Sequence, residues 1–153
     1  MHDRADSSKS LAAHLRGGEF ITAPGVYDMI SARIADSMGF PAIYMTGSGT
    51  VASHLGLPDA GIATYTDMVS RAAQISRGTT TPLIADADTG YGNPLNVQRT
   101  VREYEMAGVG GIHIEDQLFP KKCGFFEGKQ VIPQEEAVQK IRAALDARID
   151  SDF

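Results

Sequence analysis

Short apolar runs alternate along this chain with longer stretches in which apolar residues recur every three or four positions. The runs at 20–23, 42–45, 83–87 and 111–114 are too brief for helices and almost uninterruptedly apolar, so they are predicted strands. The first is expected to stop at Pro24-Gly25. Between them lie predicted helices. A lead-in helix at 10–16 has Leu11 and Leu15 four apart and ends at Gly17-Gly18. The stretch 27–38 places Met29, Ile30, Ile34, Ala35 and Met38 on a helical period, with Gly39 where a C-cap belongs. The helix at 66–76 takes Thr66 as its N-cap and leaves Gly78 beyond its end. A further helix at 94–107 stops at Gly108. The last, 134–148, is entered through Pro133 with Glu135 and Glu136 in its first turn, where the helix dipole favours acids.

Repeated strand–helix units with apolar strands imply parallel strands covered by helices. Four units are half of a (β/α)8 TIM-type barrel, which takes about 250 residues. The 153-residue chain is therefore expected to be the N-terminal part, strands 1–4, of a single α/β barrel domain. Asp150-Ser151-Asp152-Phe153 reads as a polar turn toward a fifth strand, so the chain is expected to be truncated before it. Two connections, 47–65 and 116–132, are long enough to suggest function, and both follow strand ends on the side where barrel active sites form.

Composition narrows the partners. With 42% hydrophobic and 22% charged residues the sequence is ordinary for a globular protein. A net charge of −5, from 14 basic and 19 acidic residues, argues against a nucleic-acid partner. An anionic small substrate remains compatible, because a metal ion reverses the local field. No apolar run approaches the roughly 18 residues of a membrane span, and the polar N-terminus lacks a signal-peptide core. The single cysteine fits a reducing compartment, so a cytoplasmic location is expected.

The candidate chemistry sits at the strand ends. In Asp86-Ala87-Asp88-Thr89-Gly90-Tyr91-Gly92, alternation along a strand puts Asp86 and Asp88 on one face. Two carboxylates that close call for a cation between them, and Mg2+ suits oxygen ligands (Mn2+ is the alternative). The competing reading is a solvated turn whose acids cap the next helix. His113 and Glu115 share a face at the next strand end; Glu115 is expected to reach the same metal through water, and His113 to be structural. Cys123, between Lys121-Lys122 and Gly124, is a candidate acid/base because neighbouring ammonium groups favour the thiolate, against the alternative of an inert buried thiol. Thr46-Gly47-Ser48-Gly49 offers N–H and hydroxyl donors for a carboxylate. The same glycines match the dinucleotide fingerprint G-x-G-x-x-A through Ala52, with Asp67 downstream, but that fingerprint must open a helix and the Gly- and Pro-rich sequence after it speaks against one.

The motifs Tyr-Met-Thr-Gly-Ser-Gly at 44–49, Leu-Gly-Leu-Pro-Asp at 55–59, Asp-Ala-Asp-Thr-Gly-Tyr-Gly at 86–92, Gly-Ile-His-Ile-Glu-Asp-Gln at 111–117 and Lys-Lys-Cys-Gly at 121–124, in this order, resemble the isocitrate lyase/phosphoenolpyruvate mutase superfamily, most of all its 2-methylisocitrate lyase and dimethylmalate lyase branches. The resemblance implies a Mg2+-dependent lyase that cleaves a carbon–carbon bond of a small 2-hydroxy di- or tricarboxylate by retro-aldol chemistry. It implies Asp86 and Asp88 as metal ligands with Glu115 further out. Tyr44, Thr46, Gly47, Ser48, Asp59, Lys121 and Gly124 would contact substrate, Asp59 lying near the metal, and Cys123 would protonate the carbanion left by cleavage. A homotetramer is implied for the full-length form. Oxaloacetate decarboxylase or phosphonomutase chemistry on the same scaffold is the near alternative, and a non-catalytic partial barrel that binds only metal or a partner chain is another. One departure stands out: Phe125 occupies the position where the lyase pattern has His.

Overall fold

The apolar runs pair side by side in a computed structural model that describes residues 11–153; Ser10 of the predicted lead-in helix lies outside the described residues. Strands β1 (Gly25–Val26), β2 (Ile43–Met45), β3 (Leu83–Asp86) and β4 (Gly111–His113) form one parallel sheet in sequential order. Helix α1 covers 11–16. It is followed by α2 (Met29–Ser37), α3 (Gly47–Leu55), α4 (Tyr65–Gly78), α5 (Pro94–Met106) and α6 (Gln134–Ala147). This is the βα repeat expected of the first half of a barrel. None of the helices in the described residues is long and apolar enough to cross a membrane.

Strand alternation sorts the side chains. Ile43, Met45, Leu83 and Ala85 are buried against the helices, where they meet Met68, Ala72 and Ile75 of α4. Tyr44 pairs with Ile84, Ile84 with Gly111 and Asp86 with His113, so these residues share the opposite face, which is the barrel interior.

Three expectations are corrected. The first strand is Gly25–Val26, not 20–23: Phe20 is 95% exposed, whereas Val26 is fully buried. Pro24 lies at the strand's beginning, where its missing N–H costs nothing, and its carbonyl accepts from Tyr44 N at 3.0 Å. The 47–65 connection contains a helix, α3. Its glycines each disfavour helix by about 1 kcal/mol, but burial of Thr50 and Val51 outweighs that, and Gly56 in the left-handed conformation ends it. Helix α4 is capped by Thr64 rather than Thr66: Thr64 Oγ1 accepts from Asp67 N, Asp67 Oδ2 accepts from Thr64 N at 2.8 Å, and Gly78 is the last helical residue. Asp67, the acid of the weak nucleotide fingerprint, is thus half of a capping box.

Asp36 joins α2 to the start of β3. Burial raises its pKa, but the N–H and hydroxyl groups of Thr80 and Thr81, at 2.8–3.1 Å, outweigh this and hold it below the ordinary carboxylate value. Asp36→Ala is expected to lower stability by about 1–2 kcal/mol. Because the folded-state pKa is depressed, this contribution is full above the ordinary carboxylate range and disappears as pH falls through the folded value. Urea melts of both proteins at pH 7 and at successively lower pH should show the difference shrinking as the pH falls.

Candidate active site at the carboxyl ends of the strands

Asp86 closes β3 with its carboxylate doubly engaged. Gly47 N, at the start of α3, donates to Oδ2 at 3.1 Å, and Asp88 N donates to Oδ1 at 2.8 Å. The strand ends here, so alternation does not place Asp88. A run of left-handed residues does: Asp88 (φ 47°), Gly90 (81°), Tyr91 (61°) and Gly92 (143°). Non-glycine residues in this region carry strain of about 1–3 kcal/mol each, which tends to be stored at functional sites. Burial pushes the Asp86 pKa upward, opposed by the Asp88 N–H and the charge of Lys121.

Lys121 is the hub of the site. Its ammonium lies 2.9 Å from the Asp59 carboxylate and 2.6 Å from Asp88 Oδ1, with all three side chains under 10% exposed. The sequence pointed to Lys121 as a substrate contact and an activator of Cys123; the structure spends its charge on two acids. Burial opposes that charge, but the bonds to Asp88 and Asp59 hold it well above the usual lysine value. Burial pushes Asp88 up to about 6 even against Lys121. The contact to Asp88 Oδ1 is an ion pair, and the Lys121 ammonium is that buried oxygen's partner among the described residues. The site thus already holds one cationic group against this acid.

The remaining candidates gather nearby with different degrees of engagement. Glu115 N donates to Asp88 O at 2.7 Å, and Gln117 Nε2 donates to Glu115 Oε2 at 2.7 Å while also bonding Lys122 O. Tyr44 and His113 are hydrogen-bonded at 3.0 Å across the interior face, a pairing that the register of β2 to β4 explains. Sequence reasoning left His113 as a structural residue and missed this bond. Burial, with Asp86 and Glu115 nearby, raises the Tyr44 pKa, so its hydroxyl stays neutral. Thr46, Gly47 and Ser48 form the N-terminus of α3, Ser48 exposed and Thr46 half-buried. A helix therefore does follow the glycines. They lie inside it, though, and Gly47 N is committed to Asp86, so a nucleotide phosphate finds no preceding glycine loop.

Cys123 is buried, and its N–H donates to Asp59 O at 3.1 Å. The flanking ammonium groups point elsewhere: Lys121 to the acids, and Lys122 to the carbonyls of Glu127 and Gly128. Gly124 is exposed with open space about it, and Phe125 is 94% exposed.

No three His, Cys, Asp or Glu side chains among the described residues form a ligand group for a metal. The donor chemistry nevertheless suits Mg2+, which takes one or two carboxylates and keeps several waters instead of needing a full protein cage. Gly47 shows how tight the site is, since a Cβ there would lie 2.3 Å from Asp86 Oδ2. Gly47→Ala is expected to push Asp86 aside and cost about 1–3 kcal/mol, measured by urea denaturation.

Residues 11–153 match the family described as phosphoenolpyruvate phosphomutase. The chain belongs to the isocitrate lyase/phosphoenolpyruvate mutase superfamily. It is 53% identical over 135 residues to 2,3-dimethylmalate lyase of Eubacterium barkeri, covering 88% of this chain and 47% of that protein. Among solved structures it is similar to oxaloacetate acetylhydrolase bound to 3,3-difluorooxalacetate, with a TM-score of 0.89 and 47% identity over 92% of this chain and 48% of that one. It is also similar to phosphonopyruvate hydrolase in complex with oxalate and Mg2+, with a TM-score of 0.84 and 36% identity over 96% and 50% of the two chains. The chain thus spans about half the length of the curated relatives it matches.

Proposed function

We propose that residues 1–153 supply the metal-binding half of a Mg2+-dependent carbon–carbon lyase acting on a small 2-hydroxy di- or tricarboxylate of the 2-methylisocitrate or dimethylmalate type. The observation that carries this reading is the pair of buried acids, Asp86 and Asp88, beside the N-terminus of α3, drawn around one cationic group, the Lys121 ammonium. Asp86 and Asp88 would hold Mg2+, with Glu115 reaching it through water; Mn2+ shares the ligand preference. The bound ion supplies Lewis-acid stabilisation of the substrate oxygen that gains charge as the bond breaks.

The chain's own residues have separate tasks. Half-buried Thr46 and exposed Ser48 receive a substrate carboxylate at the N-terminus of α3, where the helix dipole favours it, beside Gly47, whose own N–H holds Asp86. Tyr44 packs against the substrate, its hydroxyl fixed by His113. Asp59, tied to Asp88 through Lys121, keeps the acids in register, and Gly124 gives the following loop room to cover the substrate. In retro-aldol cleavage the substrate hydroxyl loses its proton to a water in the cleft, its oxygen becomes a carbonyl, and the carbon–carbon bond breaks. Its electron pair passes to the departing carbanion, which Cys123 protonates. Phe125, in the place of the family's His, favours the second reading, a decarboxylase acting on oxaloacetate.

The site is expected to be completed by further βα units, in the family's homotetramer, in a reducing, cytoplasmic setting. Turnover of 2-methylisocitrate, isocitrate, 2,3-dimethylmalate and oxaloacetate by the whole protein, with Mg2+ and with EDTA, tests the proposal. Activity on one of the hydroxy acids that EDTA abolishes is the expected result, and no turnover of any would favour the non-catalytic alternative. Residues 1–153 alone are expected to be inactive.

A further inference from the structure

Lys140 of α6 is buried, 6% exposed, without a counter-charge: no ion pair joins it to a carboxylate among the described residues. Among the described residues its one hydrogen bond runs from Nζ to Thr89 O at 3.3 Å, although an ammonium carries three donors. A buried charge of this kind needs an anion beside it. Lys140 lines a cavity of about 580 Å3, a volume within the range of small-molecule sites. The walls are mostly apolar, formed by Ile62, Tyr65, Tyr91, Phe119 and Ile132. Asp88 and Lys121 touch the cavity at one side, but Lys121 is neutralised by Asp59 and Asp88. Glu136, one turn before Lys140 on the same wall, is exposed and makes no ion pair with it. Tyr44, Thr46, Gly47, Ser48, Asp86 and Cys123 take no part in the lining, so the cavity adjoins the proposed metal site through Asp88 and Lys121 and extends away from the proposed substrate contacts.

We infer that this cavity is a second binding site, for a small monocarboxylate with a short apolar chain, whose carboxylate meets the ammonium of Lys140. The apolar walls select the hydrocarbon part, and the nearby Asp88 disfavours a second negative charge. The inference is independent of the activity proposed above.

Isothermal titration of the whole protein with hexanoate, hexanol and hexylamine tests it. Hexanoate is expected to bind once per chain, and the other two at least about tenfold more weakly, the loss that follows from removing one charge-assisted hydrogen bond. Lys140→Met should weaken hexanoate by at least about tenfold and leave hexanol unchanged, whereas Lys140→Arg keeps hexanoate affinity within about threefold. Ile62→Trp, at the partly exposed rim, should plug the cavity and abolish binding. If Lys140→Met does not fold, the Arg and Trp variants carry the test. Absence of hexanoate binding overturns the inference, as does equal binding by Lys140→Met. Undiminished binding by Ile62→Trp would place the carboxylate at the strand-end site instead, and overturns it too.

Discussion

Lys121→Met is expected to lower the stability of the chain by about 3–5 kcal/mol, the characteristic cost of removing one partner from a buried charge cluster. The ammonium is the counter-charge of both Asp59 and Asp88, and without it two carboxylates, each about 6% exposed, are left facing one another. Asp88, already pushed up to about 6 by burial, would lose the interactions that oppose that push. Lys121→Arg keeps the charge but exchanges a compact ammonium for a planar fork, and should cost less than Met. Urea denaturation with and without 10 mM Mg2+ measures the effect. Mg2+ is expected to restore part of the lost stability in the Met variant, because the stranded acids then share a cation. A loss below about 1 kcal/mol would show that Lys121 does not compensate these acids.

Asp86→Asn separates function from folding. Asp86 accepts one N–H on each oxygen; an amide keeps one acceptor and turns a donor toward the other N–H. One buried hydrogen bond is therefore lost. The same change removes a charge whose pKa burial raises, so the two effects oppose each other and stability should move by only about 1 kcal/mol. In the whole enzyme, by contrast, loss of the ligand charge should reduce kcat by about 10²–10³-fold and weaken Mg2+ binding in parallel. Steady-state kinetics and Mg2+ titration on one preparation decide the matter. A kcat within about tenfold of the parent would remove Asp86 from the metal site.

Much of the site was legible because it lies next to strand ends that apolar runs mark clearly. Asp86 follows Leu83-Ile84-Ala85, and His113 follows Gly111-Ile112, so alternation and register put both on the interior face. Asp88 was found for a partly wrong reason. It is a left-handed turn residue, and it meets the site through that turn rather than through strand pleating. The helix at Gly47–Leu55 was not legible, because local propensity opposes it and only burial of Thr50 and Val51 rewards it. The same is true of Lys121 and Lys140: a lysine in a sequence reads as exposed, and what buries it is contributed by residues 62 and 51 positions away.

The sequence by itself determined the βα repeat, the family and the acids at the strand ends, since periodicity and short motifs are local properties of the chain. The tertiary structure decided which charges meet. It brought Lys121 between Asp59 and Asp88, turned the ammonium groups away from Cys123, and set Lys140 on the wall of a cavity. The physical reason is that ion pairing and desolvation depend on through-space distance and burial, and the folded packing alone fixes both.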